Sequence, residues 1–183
     1  MLPALVVADT DFFERWFAGH RALTLVHVGF GTIFLALAPF QFSTRLRTRH
    51  LRLHRWSGRI LLVAAVPTVI SGFAFAALSP FGGTSAIGFF GSVFVVSMFR
   101  GLAAIRRGDQ LRHREWMLRM VSVGAGIAAV RVIGLPLMVV TGLGPLALLG
   151  ASFWLGMGAA LLTAELWIRW TRIRTAQPAA VPR

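Results

Sequence analysis

The sequence predicts an all-α integral membrane bundle of five transmembrane helices, with its N-terminus outside and its C-terminus in the cytoplasm. Three observations predict it. First, of 183 residues 56% are apolar and only 14% charged, with a mean hydropathy of +0.72, against about 25% charged in ordinary soluble domains. That surplus of apolar side chains calls for lipid as its solvent. Second, five stretches, near 21–42, 57–79, 84–106, 115–140 and 146–170, approach or exceed the roughly 20 apolar residues that let a helix cross a hydrocarbon core. Open strands are excluded at that depth, because lipid offers no partner to unpaired backbone groups. Third, the arginines alternate between connections, which orients every span.

The elements follow in order. Residues 1–19 are expected to form an outer-interface segment. Within it, 9–18 read as a short amphipathic helix edged by Phe12, Phe13, Trp16 and Phe17. The start, Met1-Leu2-Pro3-Ala4, lacks a basic n-region and a small-residue cleavage site, so no cleaved signal peptide is expected. The five-helix domain occupies 20–173. Its first connection holds Arg45, Arg47, Arg49, Arg52, Arg55 and Arg59. The third holds Arg106, Arg107, Arg112 and Arg114, with Arg100 and Arg119 at its edges. The second and fourth, Ser79-Pro80-Phe81-Gly82-Gly83 and Thr141-Gly142-Leu143-Gly144-Pro145, are uncharged turn sequences. Asp9, Asp11 and Glu14 precede the first span, and Arg169, Arg172 and Arg174 end the last. Basic residues concentrate in cytoplasmic loops, so all segments agree on one orientation, with the N-terminus outside, the C-terminus inside and an odd number of crossings. Residues 174–183 form a Pro/Ala tail, expected to be disordered.

The formal charge is +13, carried by nineteen basic residues that are all arginine. These blocks flank apolar stretches, so anionic lipid headgroups are the expected polyanion and nucleic acid is not. The chain has no cysteine, which excludes disulfides, iron–sulfur clusters and thiolate catalysis. It has no Gly-rich phosphate loop, no carboxylate pair and no His-Glu zinc helix. Glu165 is the one acidic residue placed within a span, which argues against a carrier built on carboxylate relays.

Helical rise assigns a depth to each polar group. His27 and Arg131 fall in the outer half at similar depth and are candidates to face each other. An arginine near the bilayer centre costs about 2.5–3.5 kcal/mol on insertion scales. It therefore needs a partner: a ligand or quinone-like group, headgroups reached by snorkelling, or carbonyls freed by Pro136. Pro39, Pro67 and Pro136 all lie within spans and are expected to kink them. Ser152, Gly156, Ala160 and Ala164 recur every fourth residue, giving the last span a stripe of small side chains. Packing inside the bundle is the first expectation for that stripe. A seam with a second copy or a partner subunit is the alternative.

The cytoplasmic side is richer. Gln41, His54, Arg59, Arg100, His113 and Glu165 reach one level and are expected to form a polar layer. Arg100, Arg119 and Arg169 are the candidate cations for Glu165. Asp109 is placed to cap the helix that His113 opens. His50 and His54 share a face if the second span starts early. Two imidazoles from different helices can clamp one haem iron, so His54 and His113 are candidate ligands of a b-type haem, with Arg59 and Arg119 against its propionates. A three-histidine metal site from His50, His54 and His113 is a second use. Interfacial capping of headgroups and loop carbonyls is a third. On the outer side His20 and His27 come from one helix, which argues against a second haem there.

At these residues the chain resembles an uncharacterised family of bacterial membrane proteins, a domain of unknown function. The matching stretches are His27 with Gly31, Ala38-Pro39-Phe40-Gln41-Phe42 with Arg45, and His54-Arg55-Trp56-Ser57-Gly58-Arg59. Arg107-Gly108-Asp109, His113-Arg114-Glu115-Trp116-Met117-Leu118-Arg119, Arg131 and Glu165 complete them. The resemblance covers roughly residues 20–170 and implies a multi-span inner-membrane protein. It also implies a distant kinship with cytochrome b561-like di-haem proteins, from which this chain departs by its incomplete outer histidine set. The expectation is a single-haem electron-transfer protein. The competing expectation is an accessory subunit of a membrane complex, or a lipid- or quinone-binding bundle.

Overall fold

A computed structural model describes residues 4–79 and 83–176, and these are helical throughout apart from short turns. Seven helices follow one another: α1 (Ala4–Gly19), α2 (Arg21–Phe42), α3 (Thr44–Arg49), α4 (Leu51–Leu78), α5 (Thr84–Arg106), α6 (Gln110–Thr141) and α7 (Pro145–Ala176). Five of them, α2, α4, α5, α6 and α7, are long and apolar enough to cross a membrane. The first and third spans have the bounds read from the sequence. α4 and α6 begin earlier, at Leu51 and Gln110. Their first turns carry Arg52, Arg55, Arg112 and Arg114, which lower hydropathy there without opposing helix.

Local chemistry ends and restarts the chain. Ser43 caps α3, its Oγ accepting from the Leu46 amide at 3.4 Å. Asp109 caps α6 as expected, accepting from the Arg112 amide at 2.9 Å. Between α5 and α6 the chain reverses through Gly108 at φ +77°, a conformation that a Cβ disfavours. Helix α1 is longer than the expected 9–18 element. Its Trp16 and Phe17 rings pack on Phe75 of α4, with centroids 5.5 and 5.8 Å away. Helix α7 runs on to Ala176, so the first residues of the expected tail are helical. The rest of that tail, 177–183, lies outside the described residues, as do Pro80, Phe81 and Gly82.

Helices α2, α4, α5 and α6 form a ring in which each packs on the next and α6 returns to α2. Among the described residues no Cα of α4 comes within 8 Å of one in α6, so these two are diagonal. At the ring's centre Phe34, Leu61, Ala65, Phe94 and Met120 form a buried apolar layer, with the Phe34 and Phe94 rings 5.5 Å apart. Pro39, Pro67 and Pro136 fall inside continuous helices.

Helix α7 lies outside the ring, against α6. Its small-residue stripe faces that seam: Ser152, Gly156 and Ala164 are buried. A Cβ on Gly156 would stand 2.5 Å from the Val130 backbone nitrogen, so only glycine permits this approach. Ser152 and Gly156 of the stripe thus meet Gly134 and Val130 of α6.

Candidate functional site

The bundle has a cavity toward each end. The larger, about 930 Å³, opens where α2 finishes and where α4 and α6 begin. Gln41, Arg47, His54, Arg55, Arg59, His113 and Arg114 line it, with Leu61, Met117 and Met120 as its apolar floor. Both arginine-rich connections thus sit at one end, here called the basic end.

His54 and His113 reach this cavity from the diagonal helices α4 and α6. His113 Nδ1 lies 2.9 Å from the Gly101 carbonyl oxygen. A carbonyl only accepts, so Nδ1 carries the proton and Nε2 is the lone-pair nitrogen of the neutral ring. His54 has a buried Nδ1 with no hydrogen-bond partner among the described residues. A buried imidazole nitrogen left unpaired is costly. Beside them Gln41 Nε2 donates to Ser57 Oγ at 2.8 Å, and Ser57 donates in turn to the Leu53 carbonyl at 2.8 Å. That chain fixes the amide at the cavity wall.

The expected polar layer divides. Gln41, His54, Arg59 and His113 line one cavity; Arg100 and Glu165 do not, and neither does Arg119, the second cation expected beside the propionates. Arg100 and Arg119 both lie over the Trp116 ring, 5.0 and 4.6 Å from its centroid. Arg119 turns to α7, where Nη2 donates to Glu165 Oε2 at 3.0 Å and Nε to Oε1. Of the three cations considered for Glu165, it is Arg119 that pairs. This corrects the placement of Arg119 beside a ligand. Depth put it at the right level, and the helix's rotation points it away.

His50 is also displaced. It occupies the position before α4, outside its helical turns, and does not line the cavity. Among the described residues no three His, Cys, Asp or Glu side chains are grouped to hold a metal, so the three-histidine arrangement is not assembled. Sequence reasoning missed Glu115. It was placed at the edge of a span, but α6 starts a turn earlier and buries it at 6% exposure. There it binds Arg172 of α7 through both carboxylate oxygens. The signal available was its position in the same helix as Arg119, one turn away.

The second cavity, about 480 Å³, lies toward the other end and is mostly apolar. It brings together His27 and Arg131, the pair matched by depth, among Phe34, Phe73, Phe75 and Phe94. His27 Nδ1 donates to the Thr68 carbonyl at 3.1 Å and sits 3.0 Å from Ser71 Oγ. His20 is elsewhere: it stacks on Trp16 at 4.4 Å, and its Nδ1 bonds the Trp16 carbonyl at 2.9 Å.

A helical ring of membrane-spanning length with a cavity toward each end defines a multi-span membrane protein. The chain belongs to the family described as "Predicted membrane protein (DUF2306)", which it matches over residues 24–168. That stretch contains the basic cavity and all of the second but Trp16 and Phe17. Among curated proteins and among solved structures nothing matches the chain.

Proposed function

We propose that the basic cavity holds a single b-type haem between His54 and His113, and that the protein transfers electrons. The observation that carries this reading is that two imidazoles from diagonal helices line one cavity, and that His113 has its Nδ1 held by the Gly101 carbonyl, which leaves its Nε2 for a ligand. Metal-ligating histidines commonly donate their other N–H to a carbonyl or carboxylate, as His113 does to Gly101. Arg47, Arg55, Arg59 and Arg114 would offer cations to an acidic cofactor, and Leu61 and Met120 an apolar floor. Bound there, haem supplies a one-electron couple tuned by its axial ligands and by nearby charge. We place the protein in a bacterial inner membrane with the basic end in the cytoplasm, from the positive-inside rule.

The test is the absorption spectrum of detergent-purified protein, oxidised and then reduced with dithionite. A sharpened Soret band and an α band appear on reduction if haem is bound. His54→Ala and His113→Ala each abolish them, whereas His20→Ala and His50→Ala keep them. A colourless preparation from haem-replete cells, or full retention in both ligand variants, overturns the reading.

A further inference from the structure

The far cavity has a different chemistry from the basic one. Its walls are mostly apolar, and no acidic side chain lines it. Into this setting come one cation and one acceptor. Arg131 makes no hydrogen bond or ion pair with any described residue. It stands about 15 Å short of the end of α6 at Thr141, at 1.5 Å of rise per residue. His27 has spent its Nδ1–H on Thr68, so its neutral ring presents Nε2 as a lone pair. An intramembrane cation without a protein counter-ion marks a site for an anion. The acceptor beside it matches a hydroxyl donor.

We infer that this cavity binds an acyl amphiphile whose head carries both an oxyanion and a hydroxyl, of the acyl-phosphoglycerol kind. The oxyanion pairs with Arg131, the hydroxyl donates to His27 Nε2, and the acyl chain lies along Phe34, Phe73, Phe94 and Ile127. A volume of about 480 Å³ is within the range of ligand pockets. The inference is independent of the haem reading, since the two cavities lie toward opposite ends of the bundle.

The experiment is thermal unfolding of delipidated protein in a neutral detergent, titrated with three single-chain probes. Oleoyl lysophosphatidylglycerol offers oxyanion and hydroxyl, oleate the oxyanion alone, and monoolein hydroxyls alone. The expected result is saturable stabilisation by the first, at least tenfold weaker binding of the second, and no saturable effect of the third. Arg131→Gln lowers affinity for both anions at least tenfold while leaving the ligand-free midpoint in place. Equal stabilisation by monoolein, an unaltered response in Arg131→Gln, or no saturable response to either anion overturns the site. Equal affinity for the two anions overturns the role given to His27. Native mass spectra of the wild-type chain give a reading that needs no variant: retained anionic acyl lipid supports the site, and neutral lipid alone overturns it.

Discussion

Arg119 of α6 and Glu165 of α7 meet as a two-pronged ion pair across the seam that joins α7 to the ring, with Nη2 3.0 Å from Oε2. The pair is partly buried, 16% and 31% exposed at its side chains, and hydrogen bonds to charged groups are worth about 1.5–3 kcal/mol. Glu165→Gln is expected to lower the midpoint of thermal unfolding by an amount in that range. The exchanged double variant Arg119→Glu with Glu165→Arg recovers part of the loss. The redox spectrum stays as in the wild type in all of them, because neither residue lines the basic cavity.

Gly156→Ala tests the same seam by sterics. Its added methyl group would meet the Val130 backbone, which cannot turn aside as a side chain could. Overpacking costs about 1–3 kcal/mol. Thermal unfolding should show a loss of that size, with faster protease cleavage in the turn between α6 and α7. Ala151→Leu, on the exposed side of α7, is the neutral comparison.

Gln41→Leu removes the amide that binds Ser57 and keeps the volume. Interhelical hydrogen bonds in membranes average about 0.6 kcal/mol, so the stability change is expected to be near the limit of detection. A large loss in the unfolding midpoint would mean that Gln41 holds more than Ser57.

Arg59→Ala removes a cation from the cavity wall. In haem-loaded protein the midpoint potential is expected to fall, since positive charge favours the reduced state. Arg100→Ala, which takes away the cation over Trp116 instead, leaves the potential in place. Spectroelectrochemical titration reads both.

Tags placed after Thr48, after Gly108 and after Thr175 are expected to be labelled only from the cytoplasm, and a tag after Leu143 only from outside. Labelling of the first two from opposite sides contradicts the shared basic end.

The arrangement of spans was legible because apolar length and arginine spacing are linear properties of the chain. Bounds 21–42 and 84–106 recur unchanged in α2 and α5. The early starts of α4 and α6 were hidden by Arg52, Arg55, Arg112 and Arg114, which depress hydropathy without opposing helix. The site was legible in depth and illegible in direction. His27 with Arg131, and His54 with His113, were matched by level and do share cavities. Arg119 was placed at the ligand's level and instead turns to Glu165 of α7, because rotation about a helix axis depends on packing that no single segment encodes. Glu115 escaped because its burial depends on Arg172, far along the chain.

The apolar layer of Phe34, Phe94 and Met120 has a consequence for traffic through the molecule. Each cavity ends against it, so a hydrated ion entering either side would have to shed its water into hydrocarbon-like packing. The bundle is built as a stoppered vessel with two mouths. Communication between its ends without breaking that seal calls for a shift of the helices themselves.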